Sequence, residues 1–139
     1  MNHRVLSALL CTVALVGCAT TPRAAPTLAG QWAPVSAQLA GQDFPVASFA
    51  GATLQLTADT YAFGGDRGNI VVLPGSAPAQ MDILGREGPN AGRTVPAIYA
   101  LAGDELTVCY QLGPGARPSE FTSPPGSQIL LIHYRRVRS

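Results

Sequence analysis

Ile98-Tyr99-Ala100-Leu101, then Ala102-Gly103-Asp104-Glu105, then Leu106-Thr107-Val108-Cys109-Tyr110 is the stretch whose reading decides the fold. Two runs of aliphatic, aromatic and β-branched residues flank a short segment containing Gly-Asp, a dipeptide suited to a tight reversal, so the stretch is expected to form an antiparallel β-hairpin. Outward from it the same pattern recurs. Gly and Pro interrupt the chain roughly every ten residues and leave no segment with sustained helical periodicity. Strands are expected at residues 31–39, 53–56, 60–63, 69–73, 79–84, 94–101, 106–112 and 128–134. A tight reversal is expected at 64–68, and longer loops at 85–92 and 113–126. The fold class is therefore all-β. About eight short antiparallel strands joined in sequence fit a small closed barrel, which leaves no sheet edge exposed; a two-sheet β-sandwich fits the same pattern.

Gly30-Gln31-Trp32 opens the first expected strand, and the last ends in Tyr134-Arg135-Arg136. This resembles the lipocalin arrangement, in which a G-x-W motif plugs the barrel floor and an arginine from the last strand lies over the indole. Trp32 as an ordinary core tryptophan is the equally simple reading.

A second resemblance spans nearly the whole domain. It rests on Leu28-Ala29-Gly30-Gln31-Trp32 with Gly41, on Met81-Asp82-Ile83, on Ala97-Ile98-Tyr99 with Gly103-Asp104-Glu105-Leu106-Thr107-Val108-Cys109, and on Arg117-Pro118-Ser119-Glu120-Phe121. In order and spacing these residues resemble a family of uncharacterised small secreted domains abundant in planctomycetes. The resemblance implies a lipocalin-like β-barrel and carries no activity with it. Where that family's pattern has a lysine before the aspartate segment, this chain has Pro78-Ala79-Gln80.

The N-terminus speaks to compartment. Met1-Asn2-His3-Arg4 places a cation before Val5 to Val16, an uncharged run rich in Leu, Val and Ala, which is the layout of an export signal. The run falls short of the about 20 apolar residues that a spanning helix needs. Leu15-Val16-Gly17-Cys18 resembles the lipobox of bacterial lipoproteins, which implies a signal peptide at residues 1–17, cleavage before Cys18 and lipid, palmitate included, on that cysteine. The resemblance further implies diacylglycerol on the Cys18 thiol and an acyl group on its new amino terminus, more than the two signals that stable anchoring requires. Ala19 is not the aspartate associated with inner-membrane retention, so the outer membrane, facing the periplasm, is the expected address. Residues 18–28 hold two prolines and few large apolar side chains, and are expected to be a tether. Residues 29–139 are then one domain, long enough for a single core.

Composition narrows the partners. There are nine basic residues, all arginine, against eight acidic ones; loss of Arg4 with the signal leaves the mature chain close to neutral. That balance gives no electrostatic reason to expect nucleic acid. Arg135, Arg136 and Arg138 form the one local excess, expected to be solvated. Of three cysteines, Cys11 leaves with the signal and Cys18 carries lipid, so Cys109 has no disulfide partner and is expected to behave as a small buried hydrophobe.

Little in the sequence carries chemistry. His133 alternates out of phase with Ile132 and Tyr134, and no His, Cys or Asp cluster has ligand spacing, so neither metal nor cofactor is expected. Ser76 and Ser127 lie in loops with no adjacent base. No catalytic residue is assigned and the chain is expected not to be an enzyme. The remaining candidates are Trp32, Asp82, Tyr99, Arg117, Glu120 and Phe121. In one reading Asp82, Arg117 and Glu120 line a barrel mouth and orient a ligand; in the other Arg117 pairs with Asp82 or Glu120 to pin a long loop over the barrel end while Phe121 caps the core. Tyr61, Phe63, Tyr99 and Tyr110 either ring a cavity or fill the core. The expected role is an envelope lipoprotein that binds a small apolar molecule or lipid. The alternative is a periplasmic protein-interaction module, such as an inhibitor or immunity protein of a secreted enzyme.

Overall fold

The computed structural model describes residues 27 to 138. The expected signal peptide, Cys18 and most of the tether lie outside the described residues. Nine strands follow in chain order: β1 Gly30–Leu39, β2 Gln42–Phe44, β3 Leu54–Leu56, β4 Thr60–Phe63, β5 Asp66–Leu73, β6 Ala79–Glu87, β7 Thr94–Ala102, β8 Glu105–Gln111 and β9 Ile129–Arg136. One 3-10 turn, Val46–Phe49, lies between β2 and β3. The hairpin at the centre of the sequence pattern is β7–β8, with Ile98 opposite Cys109 and Ala102 opposite Glu105.

Every neighbouring pair from β3 to β9 is antiparallel, and β9 returns to pair with β1 from Trp32↔Arg136 to Leu39↔Leu130. The other edge of β1 is shared: β3 pairs with its start, Gly30↔Leu56 to Trp32↔Leu54, and β2 with its end, Ala37↔Phe44 to Leu39↔Gln42. The result is a closed, lipocalin-like barrel of eight antiparallel strands with β2 as an added arm. The sandwich is not formed, because the β1–β9 ladder consumes the two edges that a second sheet would leave free.

Period-2 alternation positions the core. Met81 and Ile83 are buried while Asp82 between them is partly exposed, and Ile132 and Tyr134 are buried while His133 faces solvent, where its ring Nδ1 meets the Thr107 hydroxyl at 3.0 Å. The strand centres lie where the pattern places them, but some boundaries shift. Gly64 and Gly65 alone make the β4–β5 turn, so β5 begins at Asp66 and not at residue 69. Strand β6 runs on to Glu87.

The floor of the barrel is built around Trp32, which is fully buried. Its indole Nε1–H donates to the Leu28 carbonyl at 3.0 Å, and the Arg136 guanidinium lies 4.3 Å from the ring centroid. The same guanidinium donates to the Ala29 and Thr27 carbonyls at 2.9 and 3.0 Å. Thr27 and Leu28 are thus already fixed to the barrel, two residues before the expected domain boundary at Ala29. Gly30 makes this possible: its φ is +141°, and a Cβ there would stand 2.7 Å from the Arg136 guanidinium.

Strand β8 is buried on both faces at Val108, Cys109 and Tyr110. Ile98, Cys109 and Leu131 form one register row across the outer wall of β7, β8 and β9 and make a second small core outside the barrel. The segment of residues 112–128 covers it, with Phe121 and Ile129 packed on the row.

Gly30→Ala and Arg136→Ala act on the same contact. Each is expected to lower stability by about 1–2 kcal/mol in urea unfolding, and the double variant to lose clearly less than the two losses added together. Strict additivity would show that Gly30 serves the backbone alone.

Candidate functional site

A cavity of about 110 Å³ occupies the half of the barrel away from Trp32. Its walls are apolar side chains from β3 to β9, among them Leu56, Ile70, Met81, Val95 and Ile132. It opens at the end formed by the β4–β5 and β6–β7 turns, where Phe49, Phe63, Asp66, Asn90, Leu112 and Leu130 surround the mouth. The N-terminal segment of the described chain joins the barrel at the opposite end. Phe49 packs between Phe44, tilted at 41°, and Phe63, edge to face, with ring centroids 5.4 and 5.3 Å apart, so the 3-10 turn lays an aromatic rim along one side of the mouth.

Two polar groups interrupt the lining. Deep inside, the Tyr110 and Tyr134 hydroxyls meet at 2.9 Å. Two O–H groups that form one hydrogen bond leave one proton for an acceptor inside the barrel, which an occupant or a water molecule can supply. Burial pushes both hydroxyls well above the ordinary tyrosine range. At the mouth, the Tyr61 hydroxyl donates to Asp66 Oδ1 at 3.2 Å and the Asn90 amide donates to Asp66 Oδ2 at 2.6 Å. Arg93 donates to Asn90 Oδ1 at 3.3 Å and to the Leu112 carbonyl, which fixes the amide with its NH2 toward Asp66. Burial first, and then the Asp66 carboxylate beside it, push the Tyr61 hydroxyl up to about 12.

The residues singled out in the sequence divide between the two ends and the outer wall. Trp32 is the floor plug with Arg136 over it. Tyr61, Phe63 and Tyr110 line the cavity; Tyr99 does not, and instead lines a shallow cleft at the floor end beside Leu28, Val72 and Leu101. Asp82 and Arg117 form an ion pair at 2.5 Å, and Arg117 also donates to the Met81 and Ala97 carbonyls at 2.9 and 3.0 Å. That pair sits on the outer wall of β6 and β7 and not at a mouth. It pins residues 112–128 against the side of the barrel, and Phe121 caps the outer cluster and not the barrel core. Glu120 is exposed; its backbone carbonyl, with that of Thr122, lies 3.6 and 3.5 Å from the Cys109 sulfur. The reason is volume: Ile98, Cys109 and Leu131 present an apolar row outside, and the nearest long loop is spent on covering it.

Asp66, Asn90 and Tyr134 are the site residues that the sequence reading did not single out. Asp66 falls within the reversal expected at 64–68 and Asn90 within the loop expected at 85–92. The spacing Asp66, Gly68, Ile70 continues the inward face of β5 and is the signal that places Asp66 in the barrel. Among the described residues no three His, Cys, Asp or Glu side chains come together to hold a metal. Comparison of the chain with protein families, curated proteins and solved structures finds no match.

Two experiments follow from this arrangement. Burial pushes the Cys109 thiol up, so the covered sulfur is a protonated, shielded thiol. Arg117→Ala removes the charge-assisted bonds that hold the covering loop and is expected to speed labelling of Cys109 by a thiol reagent about tenfold or more; an unchanged rate would show that the loop holds without them. In alkali, the three buried tyrosines ionise in the unfolded chain near 10.0 and higher in the folded one. The stability they contribute is complete below pH about 10 and is lost as pH rises toward the folded values. Tyrosinate absorbance is expected to rise together with loss of the β-sheet signal; full ionisation with the sheet intact would contradict the placement of these hydroxyls.

Proposed function

We propose that this chain is a non-enzymatic lipoprotein of the bacterial cell envelope, anchored through Cys18, whose barrel binds a small apolar molecule. The observation that carries the binding reading is the cavity itself. An eight-stranded barrel has an interior that its own side chains can fill, and here they fill only the Trp32 half. The remaining about 110 Å³ is somewhat smaller than engineered cavities of about 150 Å³ that take up benzene. This volume suits a single ring or a short branched chain better than a long-chain lipid. The rim supplies polar groups that fix an orientation, as small-molecule sites do.

The anchor rests on Leu15-Val16-Gly17-Cys18, and the motif resemblance to small secreted domains agrees with export. Eight residues, 19–26, separate Cys18 from the first described residue. At about 3.1 Å each when extended they reach roughly 25 Å. Because the chain joins the barrel at the Trp32 end, the anchor and the cavity mouth belong to opposite ends. A periplasmic interaction module would be favoured by a filled barrel. The cavity favours the binder, as do exposed valines that are distributed over β1 (Val35), the 3-10 turn (Val46), β5 (Val71 and Val72) and the segment after β9 (Val137).

The test is native mass spectrometry of residues 27–139, exported to a periplasm without the anchor and purified without detergent. A co-purifying small molecule is expected, lost in Val95→Phe, which places a ring in the cavity. A bare mass in both proteins, with no uptake of added small aromatic compounds, would overturn the binding reading. In the full chain, Cys18→Ser is expected to abolish palmitate labelling and to release the protein from membranes; retained labelling would overturn the anchor.

A further inference from the structure

Resting on the binding reading above, we infer that the occupant is a small amine: an apolar body of one ring or a short branched chain seated in the cavity, with its ammonium group on Asp66 at the mouth.

Four observations lead there. First, Asp66 is the one acidic side chain in the cavity lining, and no arginine shares that lining. Second, the Asp66 carboxylate is held but not saturated. It has about four lone-pair sites on its two oxygens, and the Tyr61 hydroxyl takes one on Oδ1 while the Asn90 amide takes one on Oδ2. Each oxygen keeps room for a further donor, and the two donors already present fix its plane. Third, the nearest arginine contact at the mouth is turned to other acceptors: Arg93 holds Asn90 Oδ1 and the Leu112 carbonyl. Arg67, next to Asp66 in sequence, points to the outer face, where it lines a groove with Arg86 and Glu87. Fourth, the rings of Tyr61, Phe63 and Phe49 all line the same cavity, and aromatic faces beside a carboxylate favour an ammonium ion by cation–π attraction.

The same geometry works against a carboxylate head and against a purely apolar molecule. A carboxylate-bearing molecule entering head-out would bring its charge against Asp66 at the boundary of a low-dielectric cavity, where like charges repel more strongly than in water. A purely apolar molecule would fill the volume but leave the Asp66 lone pairs to water. Selectivity for an ammonium over a neutral or anionic head is thus set by charge, while the size limit is set by the apolar walls.

Four probes of matched size test this: benzylamine, benzyl alcohol, toluene and benzoate, each titrated into residues 27–139 with binding read by ligand-observed NMR at neutral pH. Benzylamine is expected to bind at least roughly tenfold more tightly than toluene, benzyl alcohol to fall between them and benzoate to show no binding. Asp66→Asn, which keeps an acceptor for the Tyr61 hydroxyl, is expected to bring benzylamine down to the level of toluene. The comparison of the four probes on the unaltered protein stands even if that variant folds poorly. Toluene binding as tightly as benzylamine, or benzoate binding at all comparably, would overturn the amine assignment and leave the cavity as a binding site. Failure of all four probes would overturn both.

Discussion

Closure between the first strand and the last is the constraint on which everything else in the barrel depends. Without the β1–β9 ladder the molecule is an open sheet with two bare edges, and its inward row has nothing to face. Backbone pairing alone does not choose where the ladder starts, since a slip of one residue would turn every inward side chain outward. Trp32 and Arg136 settle the register: they are opposite one another across the ladder, stacked, and tied by hydrogen bonds to the incoming chain at Leu28, Ala29 and Thr27. Arg136 also reaches Asp104 in the β7–β8 turn at 3.4 Å, so the hairpin that nucleates the pattern in the sequence is tied to the strand that closes it. At Gly30 an added Cβ would stand 2.7 Å from the Arg136 guanidinium, which would have to shift, and the φ of +141° is one a side chain rarely adopts.

A floor so firmly built frees the other end from structural duty. Trp32 and Leu106, next to the β9 residues Arg136 and Tyr134, are fully buried at the floor end. Toward the mouth the walls carry large side chains that do not meet in the middle, and the cavity is what remains. The outer wall follows a different logic. Because β7, β8 and β9 are apolar outside as well as inside, residues 112–128 are drawn against them, and Arg117 locks the loop by taking two main-chain carbonyls and the Asp82 carboxylate at once. Of that segment, Leu112 alone lines the cavity.

Much of the fold was legible in the sequence. The β7–β8 hairpin, the centres of all eight barrel strands and the stacking of a terminal arginine on Trp32 follow from alternation, turn chemistry and one short motif. Strand β2 and the 3-10 turn were not legible, because Gln42, Asp43 and Phe44 are too few to show a period and Val46 to Phe49 have no cap. The site was only half legible. The sequence leaves Asp82 and Glu120 as alternative partners of Arg117; the structure selects Asp82, and the place of that pair on the outer wall depends on β8 being apolar on both faces. Leu106-Thr107-Val108-Cys109-Tyr110 does carry that sign: a strand that stops alternating after Thr107 has neighbours on both sides. Asp66 was hidden by its neighbours, since Gly64-Gly65-Asp66-Arg67-Gly68 reads as one long turn until the pairing Phe63↔Asp66 shows that the turn is only two residues. Cavity volume has no sequence signal at all; it is a difference between two large volumes, and one methyl group on either side changes it.

The two ends of the barrel are chemically unlike, and the difference bears on how an occupant arrives. At the floor, Asp104 and Glu105 are paired with Arg135, Arg136 and Arg138, so the charges there are largely satisfied among themselves. At the mouth, Asp66 keeps unused lone pairs beside an aromatic rim. If Cys18 anchors the chain as proposed, the satisfied end lies on the side where the anchored segment joins the barrel and the unsatisfied end lies on the other. On the proposed binding role, an occupant that approaches from water is better served by a charged head than by a long acyl tail, and a cavity of about 110 Å³ suits one ring or a short branched chain and not such a tail. Position of the chain entry, volume of the cavity and chemistry of the rim are set by different residues, and under the proposed function all three favour a small polar-headed molecule over a bilayer lipid.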